Sequence, residues 1–222
     1  MKLALAMILA ASAAQAQEFI STDARLSDSD FYRLVACAAP IGGACQKELV
    51  RWSPADAQDV SLGFVQIENG YPEDVAQLAT AALNSAIEQL NAAHANLHVT
   101  LWDNTGKPDI GIHLLNIVEG DAIRNTGLDP LDGSRIQAAK MELWWRDDYS
   151  LIEGAIVFGN DIAMRDLRSV MLEEVTQAMG LLTDIGGPYY EARSIFSESS
   201  NRSTALGPQD VMALRRHYPK SP

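Results

Sequence analysis

Apolar side chains recur with a helical period in two long segments of the chain. In residues 72–93 they lie three and four positions apart, which places them on one helix face, and Pro72 suits the first helical position. A second helix is predicted over residues 163–182 from the same spacing. A shorter last helix is predicted to open at Gly207-Pro208 and to end near His217.

Alternating apolar and polar positions predict strands between these helices. Four segments carry the pattern, at residues 97–102, 109–115, 141–145 and 151–158. The polar residues 17–30 predict a mobile lead-in, and residues 183–205 are rich in Ser and Gly, which indicates a long loop. The order of elements predicts a single α+β domain over residues 31–222, with a mixed, twisted sheet, two long helices and a C-terminal helix.

Residues 1–16 have the features of a cleavable signal peptide. Lys2 supplies a positive charge, residues 3–14 form a short apolar run, and Ala14-Gln15-Ala16 is a small-residue cleavage site before Gln17. The run is shorter than the roughly 20 residues that span a bilayer, and its alternative interpretation is an N-terminal core helix. We therefore expect a soluble protein of the periplasm or the exterior, without membrane insertion.

The charge of the chain narrows its range of partners. Its 17 basic and 29 acidic side chains give a formal net charge of −12. Phosphates of nucleic acid and anionic lipid surfaces both bind Lys and Arg. We therefore expect no nucleic-acid partner and no adhesion to an anionic membrane.

The chain has two cysteines, Cys37 and Cys45, which Pro40 and Gly42-Gly43 allow to approach each other. Export would place them in an oxidising compartment, so we predict a disulfide. Its short loop should contribute roughly 2–3 kcal/mol through loop closure. The alternative, a metal site, lacks other ligands nearby.

Glu174 is the most informative residue of the second helix. On a helical wheel it lies in the middle of the apolar face, whereas Glu173 and Gln177 lie one turn apart at the border of that face. A buried carboxylate is costly unless it is paired or protonated. Glu174 is therefore either a structural residue with a core partner, a catalytic or ligand-binding residue, or simply exposed.

The segment from Glu173 to Leu181 resembles the zinc-binding helix of zincin metallopeptidases, and of metzincins in particular, which carry His-Glu-x-x-His-x-x-Gly-x-x-His. Glu174 matches the general base and Gly180 the turn. The three zinc-ligand positions of that motif are occupied here by Glu173, Gln177 and Thr183. Downstream, Ser194-Ile195-Phe196 resembles the metzincin Met-turn, and residues 206–218 resemble the helix that closes such domains. The resemblance implies that the loop after the helix passes the face that carries Glu174, which makes four residues of that loop its candidate partners: Tyr189, Tyr190, Arg193 and Ser194.

The whole chain resembles an exported proteobacterial family of unknown function, the domain-of-unknown-function family 2927. The resemblance is carried by residues 30–34, Cys37, Cys45, Arg51-Trp52, Glu174 to Leu181, Asp184, residues 194–196 and the ending around Tyr218. That family resembles zincins without their His ligands. The resemblance implies a zincin-like domain with a cleft and leaves its activity open.

The residues in the zincin-like segment are poor zinc ligands. Glu173 and Asp184 could each supply a carboxylate, but Gln177 is a weak substitute for His, and the four histidines show no zinc-ligand spacing. A hard metal ion on Glu173 and Asp184 is a minor alternative. We expect no metal and no cofactor.

Three functional hypotheses follow for this chain. The first is a non-catalytic metallopeptidase-like domain whose cleft, with Glu173, Glu174, Gln177 and Asp184, binds a protein or extended peptide of the cell envelope. The second is a peptidase-like hydrolase in which Glu174 acts with Glu173 or Asp184. The third is a structural envelope protein without a ligand. An acidic cleft beside Glu173 and bound metal are the features that distinguish them.

Overall fold

The computed structural model describes residues 19–220, so the predicted signal peptide at residues 1–16 lies outside it. The α-helices are α1 (Asp28–Cys37), α2 (Glu73–Ala92), α3 (Leu167–Gln177) and α4 (Pro208–His217). The strands are β1 (Phe19–Ser21), β2 (Arg51–Trp52), β3 (Val60–Ile67), β4 (Val99–Leu101), β5 (Ile110–Leu114), β6 (Ala139–Trp145), β7 (Ser150–Phe158) and β8 (Asp184–Gly186). No helix within residues 19–220 is both long and apolar enough to cross a membrane.

The main sheet has six strands, most of which run parallel. Strands β4, β3, β5 and β7 pair side by side in parallel, and β2 pairs in parallel with the first residues of β7. Strand β6 pairs antiparallel with β7. The sheet is therefore mixed, as predicted, and the architecture is compatible with the predicted α+β class.

The two faces of the sheet pack against different parts of the chain. Ile110, Ile112 and Leu114 of β5 belong to the main core, which also contains the apolar faces of α2 and α3. A smaller core on the opposite face joins Ala155 and Val157 of β7 to the segment between β5 and β6. The helical face of the sheet therefore carries most of the apolar burial and fixes the position of α3.

Several elements differ from the sequence-based expectations. The lead-in predicted at residues 17–30 contains β1, which pairs in parallel with β8, and the start of α1, where the hydroxyl of Ser27 accepts a hydrogen bond from the Asp30 N–H (3.1 Å). Strand β3 was not predicted, and β8 lies inside the predicted loop at residues 183–205. Helix α3 is shorter than predicted.

The C-terminal boundary of α3 has a steric cause. Beyond the helix, Gly180 adopts a φ of +94°, and a Cβ there would lie 2.1 Å from the carbonyl oxygen of Val50. Only glycine tolerates both this positive φ and this close approach of the Val50 carbonyl group. The backbone at Gly180 is therefore not helical, and the helix cannot continue to residue 182.

The predicted disulfide between Cys37 and Cys45 is present. Cys37 is the last residue of α1, and Ala38 follows it in the left-handed conformation with a φ of 52°. The carbonyl oxygen of Cys37 accepts hydrogen bonds from the N–H groups of Gln46 and Lys47. The disulfide and these hydrogen bonds together close the loop at the end of α1.

The buried carboxylate of Asp210 attaches the loop between β8 and α4 to the first turn of α4. It accepts hydrogen bonds from the Ser194 hydroxyl (2.6 Å), the Ile195 N–H (3.0 Å) and the Gly207 N–H (2.7 Å). Ser194 lies within the loop and Gly207 at its end. Asp210 therefore helps to set the path of this segment, together with the bridge between Ser197 and Ile185.

We predict that Asp210→Ala lowers the free energy of unfolding by about 3 kcal/mol, because it leaves three buried donors without an acceptor. Asp210→Asn should cost less, about 1 kcal/mol, since its amide oxygen still accepts hydrogen bonds. Urea unfolding measures both changes, with Asp23→Ala at an exposed position as the control. An Asp210→Ala protein as stable as the parent would contradict the anchoring role.

Candidate functional site

The structure brings the four predicted cleft residues together. Glu173, Glu174 and Gln177 project from α3, and Asp184 begins β8; all four are half-buried. They line one cavity of about 220 Å³. Val170 of α3 also lines it, and the remaining lining comes from distant segments, namely Gln137, Ala138, Ala139, Ser197, Glu198 and Asn201.

Gln177 links the helix to the strand at the base of this acidic cleft, the name used here for the cavity. Its side-chain N–H donates to a carboxylate oxygen of Asp184 at 2.6 Å. The amide group therefore orients the Asp184 carboxylate. In the zincin motif this position carries a metal ligand, whereas here it carries a hydrogen-bond donor.

Burial and like charges raise the pKa values of the two glutamates of α3. The pKa of Glu174 is raised to about 8, mainly by burial and also by the negative charge of Asp184, against the opposing effect of the Lys140 ammonium group. Burial likewise raises the pKa of Glu173 well above its ordinary value, with added repulsion from Asp184, Glu174 and Glu198. At neutral pH the cleft therefore retains protons that isolated carboxylates would lose.

The partners proposed for Glu174 from sequence are wrong. Tyr189, Tyr190, Arg193 and Ser194 make other contacts. The Ser194 hydroxyl donates to Asp210, and the Tyr190 hydroxyl donates to the side chain of Gln209 at 3.1 Å. Arg193 lies over the ring of Tyr189. Glu174 therefore faces the acidic cleft and is not neutralised by a core partner from this loop.

The donor groups of the cleft do not fit a zinc ion. Of the three positions that carry His in the zincin motif, Gln177 donates to Asp184, and Thr183 is fully buried with a hydroxyl that has no hydrogen-bond partner. Within residues 19–220, no group of three or more His, Cys, Asp or Glu side chains could hold a metal ion. Zinc needs about four such ligands in tetrahedral array.

Strand β6 borders the acidic cleft and has an open edge. Among the described residues it pairs only with β7. The Gly154 N–H donates to the carbonyl oxygen of Asp109, on the β5 side of β7, whereas the Gly159 N–H donates to the carbonyl oxygen of Ala138, on the β6 side. Because the direction of the backbone groups alternates from one residue to the next, these two bonds show which residues of β6 bond to β7. Consequently, the N–H and C=O groups of Ala139, Met141 and Leu143 point away from β7. Within residues 19–220 these groups have no backbone partner, and the row that they form begins at Ala139, which lines the cleft.

Sequence reasoning missed the parts of the cleft that come from outside α3 and β8. Glu198 and Ser197 follow the Met-turn-like Phe196 directly, so the resemblance at residues 194–196 could have indicated them. The start of β6, at Gln137 to Ala139, carries no chemical motif. Its role depends on which strand lies at the sheet edge, and alternation alone does not reveal that.

No protein-family model matches the chain, and no curated protein matches it significantly.

We predict that stability declines with rising pH because of the acidic cleft. A carboxyl group whose pKa is raised on folding stabilises the fold below its unfolded pKa, and this contribution is lost as the pH rises through its folded pKa. For Glu174 the window runs from about 4.5 to about 8. Burial lowers the pKa of His217 from 6.5 to about 4, so this residue makes stability increase with pH below 6.5. The effect of Glu174 is therefore best measured in the upper half of its window.

The measurement is urea unfolding of wild type and Glu174→Gln between pH 6.5 and about 9. Glu174→Gln should stabilise the protein at the alkaline end by about 1 kcal/mol, after allowance for solvent screening. Glu88→Gln, at an exposed position of α2, is the matched control. Parallel pH profiles for wild type and Glu174→Gln would show that the cleft does not hold Glu174 in its protonated form.

Proposed function

We propose that the protein is an exported, non-catalytic metallopeptidase-like domain that binds a protein or extended peptide of the cell envelope. The observation that carries the proposal is the open edge of β6 beside the acidic cleft of α3. Zincins, which the chain resembles, hold substrate as an added strand at the sheet edge next to the catalytic helix. That mode of binding uses backbone hydrogen bonds and needs no metal.

The regular part of the β6 edge is long enough for strand addition. The register between β6 and β7 shifts only between Trp144 and Trp145, so Ala139 to Leu143 form an undisturbed stretch. An incoming strand would pair with the outward backbone groups of Ala139, Met141 and Leu143. Alternate side chains of the peptide would then face α3.

The charge of the cleft defines the kind of peptide that fits. Besides burial, the negative charge of Asp184 raises the pKa of both glutamates, and that of Glu198 raises the pKa of Glu173, while the ammonium group of Lys140 lowers the pKa of Glu174. A Lys or Arg side chain of the peptide would act on both glutamates in the same direction as Lys140 and offset part of the effect of burial and repulsion. We therefore infer a preference for extended segments with basic residues.

A proline at the β6 edge tests this mode of binding. Met141→Pro removes one outward N–H and leaves the hydrogen bonds to β7 in place, because proline is tolerated at a sheet edge. The probe is a fluorescent, capped peptide of about eight alternating Lys and Val residues, the length of an ordinary strand. We expect micromolar to millimolar binding by anisotropy, at least about tenfold weaker for Met141→Pro.

Met141→Ala is the matched control, because it removes the same side chain and keeps the N–H group. It should change the Kd by less than about threefold, and thermal melts should show that both variants fold. A Glu–Val peptide of the same length should bind more weakly than the Lys–Val peptide. Equal binding by the Pro and Ala variants would contradict strand addition, and no binding of either peptide would favour a purely structural protein.

A hydrolase is the second candidate, and the raised pKa of Glu174 is the observation that favours it. Protonated at neutral pH, Glu174 could act as a general acid, while Asp184, oriented by Gln177, acts as the base. Mass spectrometry of the Lys–Val peptide after prolonged incubation separates the two functions. We expect an intact peptide. Cleavage by wild type that is absent in Glu174→Gln would establish the hydrolase instead.

A further inference from the structure

A second cavity, separate from the acidic cleft, lies between the β8–α4 loop and the first turn of α4. Its volume is about 580 Å³, which is within the usual range of small-molecule sites. The lining consists of Arg25, Tyr189, Tyr190, Ala192, Arg193, Arg202, Ser203, Thr204, Ala205, Leu206, Gly207, Pro208 and Gln209. We call this the arginine cavity.

The charge of the arginine cavity is opposite to that of the protein. Three arginines and no Asp or Glu line it, although acidic side chains outnumber basic ones by 29 to 17 in the whole chain. Arg25 and Arg202 have carboxylate neighbours outside the lining, at 2.9 Å and 4.0 Å. Within residues 19–220, Arg193 has no ion-pair partner and is exposed. Its charge is therefore available to a ligand.

The position of Arg193 is set before any ligand arrives. Its guanidinium lies 4.7 Å from the centroid of the Tyr189 ring and donates to the Tyr189 carbonyl oxygen at 2.8 Å. Tyr189 in turn packs edge-on against Tyr190, whose hydroxyl accepts from the Leu26 N–H and donates to Gln209. A guanidinium held in this way loses little freedom on binding, which favours affinity.

We propose that the arginine cavity binds a small organic oxyanion, a carboxylate or phosphate attached to an apolar body. The planar donor groups of arginine match such oxyanions. Ser203 and Thr204 are polar residues of the same lining, and Tyr189 with Leu206 supplies apolar surface. This site is independent of peptide binding at β6.

Calorimetric titration of the purified protein with four probes tests the proposal. Benzoate and phenyl phosphate carry both an oxyanion and a ring, benzamide is the neutral analogue of benzoate, and inorganic phosphate lacks the ring. We expect benzoate or phenyl phosphate to bind at least about tenfold more tightly than benzamide and inorganic phosphate. The tighter of the two identifies the carboxylate or the phosphate as the preferred group.

Variants of Arg193 assign the binding to the cavity. Arg193→Gln should weaken the better probe by about tenfold, and Arg193→Lys should give an intermediate affinity because it keeps the charge without the planar donors. Arg165→Gln, which makes the same change at an exposed position outside the cavity, should alter the Kd by less than about twofold. Melting curves should be unchanged, since Arg193 is exposed.

Three results would overturn the proposal. They are benzamide binding as tightly as benzoate and phenyl phosphate, no heat from any probe at about 10 mM, and equal loss of affinity in Arg193→Gln and Arg165→Gln. The last would reduce the effect to the overall charge of the protein.

Discussion

The buried Asp210 carboxylate joins the loop between β8 and α4, which contributes to both candidate sites, to the first turn of α4. It accepts hydrogen bonds from Ser194 and Ile195 within the loop and from Gly207 at its end. The loop as a whole supplies Ser197 and Glu198 to the acidic cleft and most of the lining of the arginine cavity. The bridge between Ser197 and Ile185 supports the same segment, so the Asp210 hydrogen bonds act together with backbone pairing to hold the two sets of side chains in place.

This anchor is itself a compromise between two opposing effects. Burial raises the pKa of Asp210 and its three hydrogen bonds lower it, and the net result of these effects is a pKa of about 6. The folded state therefore prefers the protonated form more than the unfolded chain does, and this contribution to stability is lost as the pH rises from about 4 to about 6. The carboxylate positions the loop in spite of this cost, because three buried donors would otherwise remain unpaired.

Sequence-based prediction succeeded for features that depend on neighbouring residues and failed for those that depend on residues far apart in the chain. Helix α2, predicted at residues 72–93, spans Glu73–Ala92, because a long amphipathic period is a local property. The spacing along α3 likewise grouped Glu173, Glu174 and Gln177 correctly. The parallel partners of the strands, the contact of Gly180 with Val50 and the open edge of β6 involve residues far apart in sequence, and no local pattern encodes them. The candidate partners named for Glu174 in the following loop were wrong for the same reason, since Tyr190 and Ser194 bond to Gln209 and Asp210 instead.

The unfavourable electrostatics of the cleft are the strongest physical reason to regard it as a binding site. A carboxyl group with a pKa of about 8 that faces Glu173 and Asp184 destabilises the folded protein at neutral pH, relative to a Gln of similar shape. If stability were the only requirement, Gln would be favoured over Glu at position 174, since stabilising substitutions of this kind are readily available to a protein. Residues that violate the rules of stability concentrate where a ligand supplies the missing interaction. In the proposed function, a basic side chain of the peptide supplies this interaction to Glu173 and Glu174, and the β6 edge provides the backbone groups that would hold the peptide.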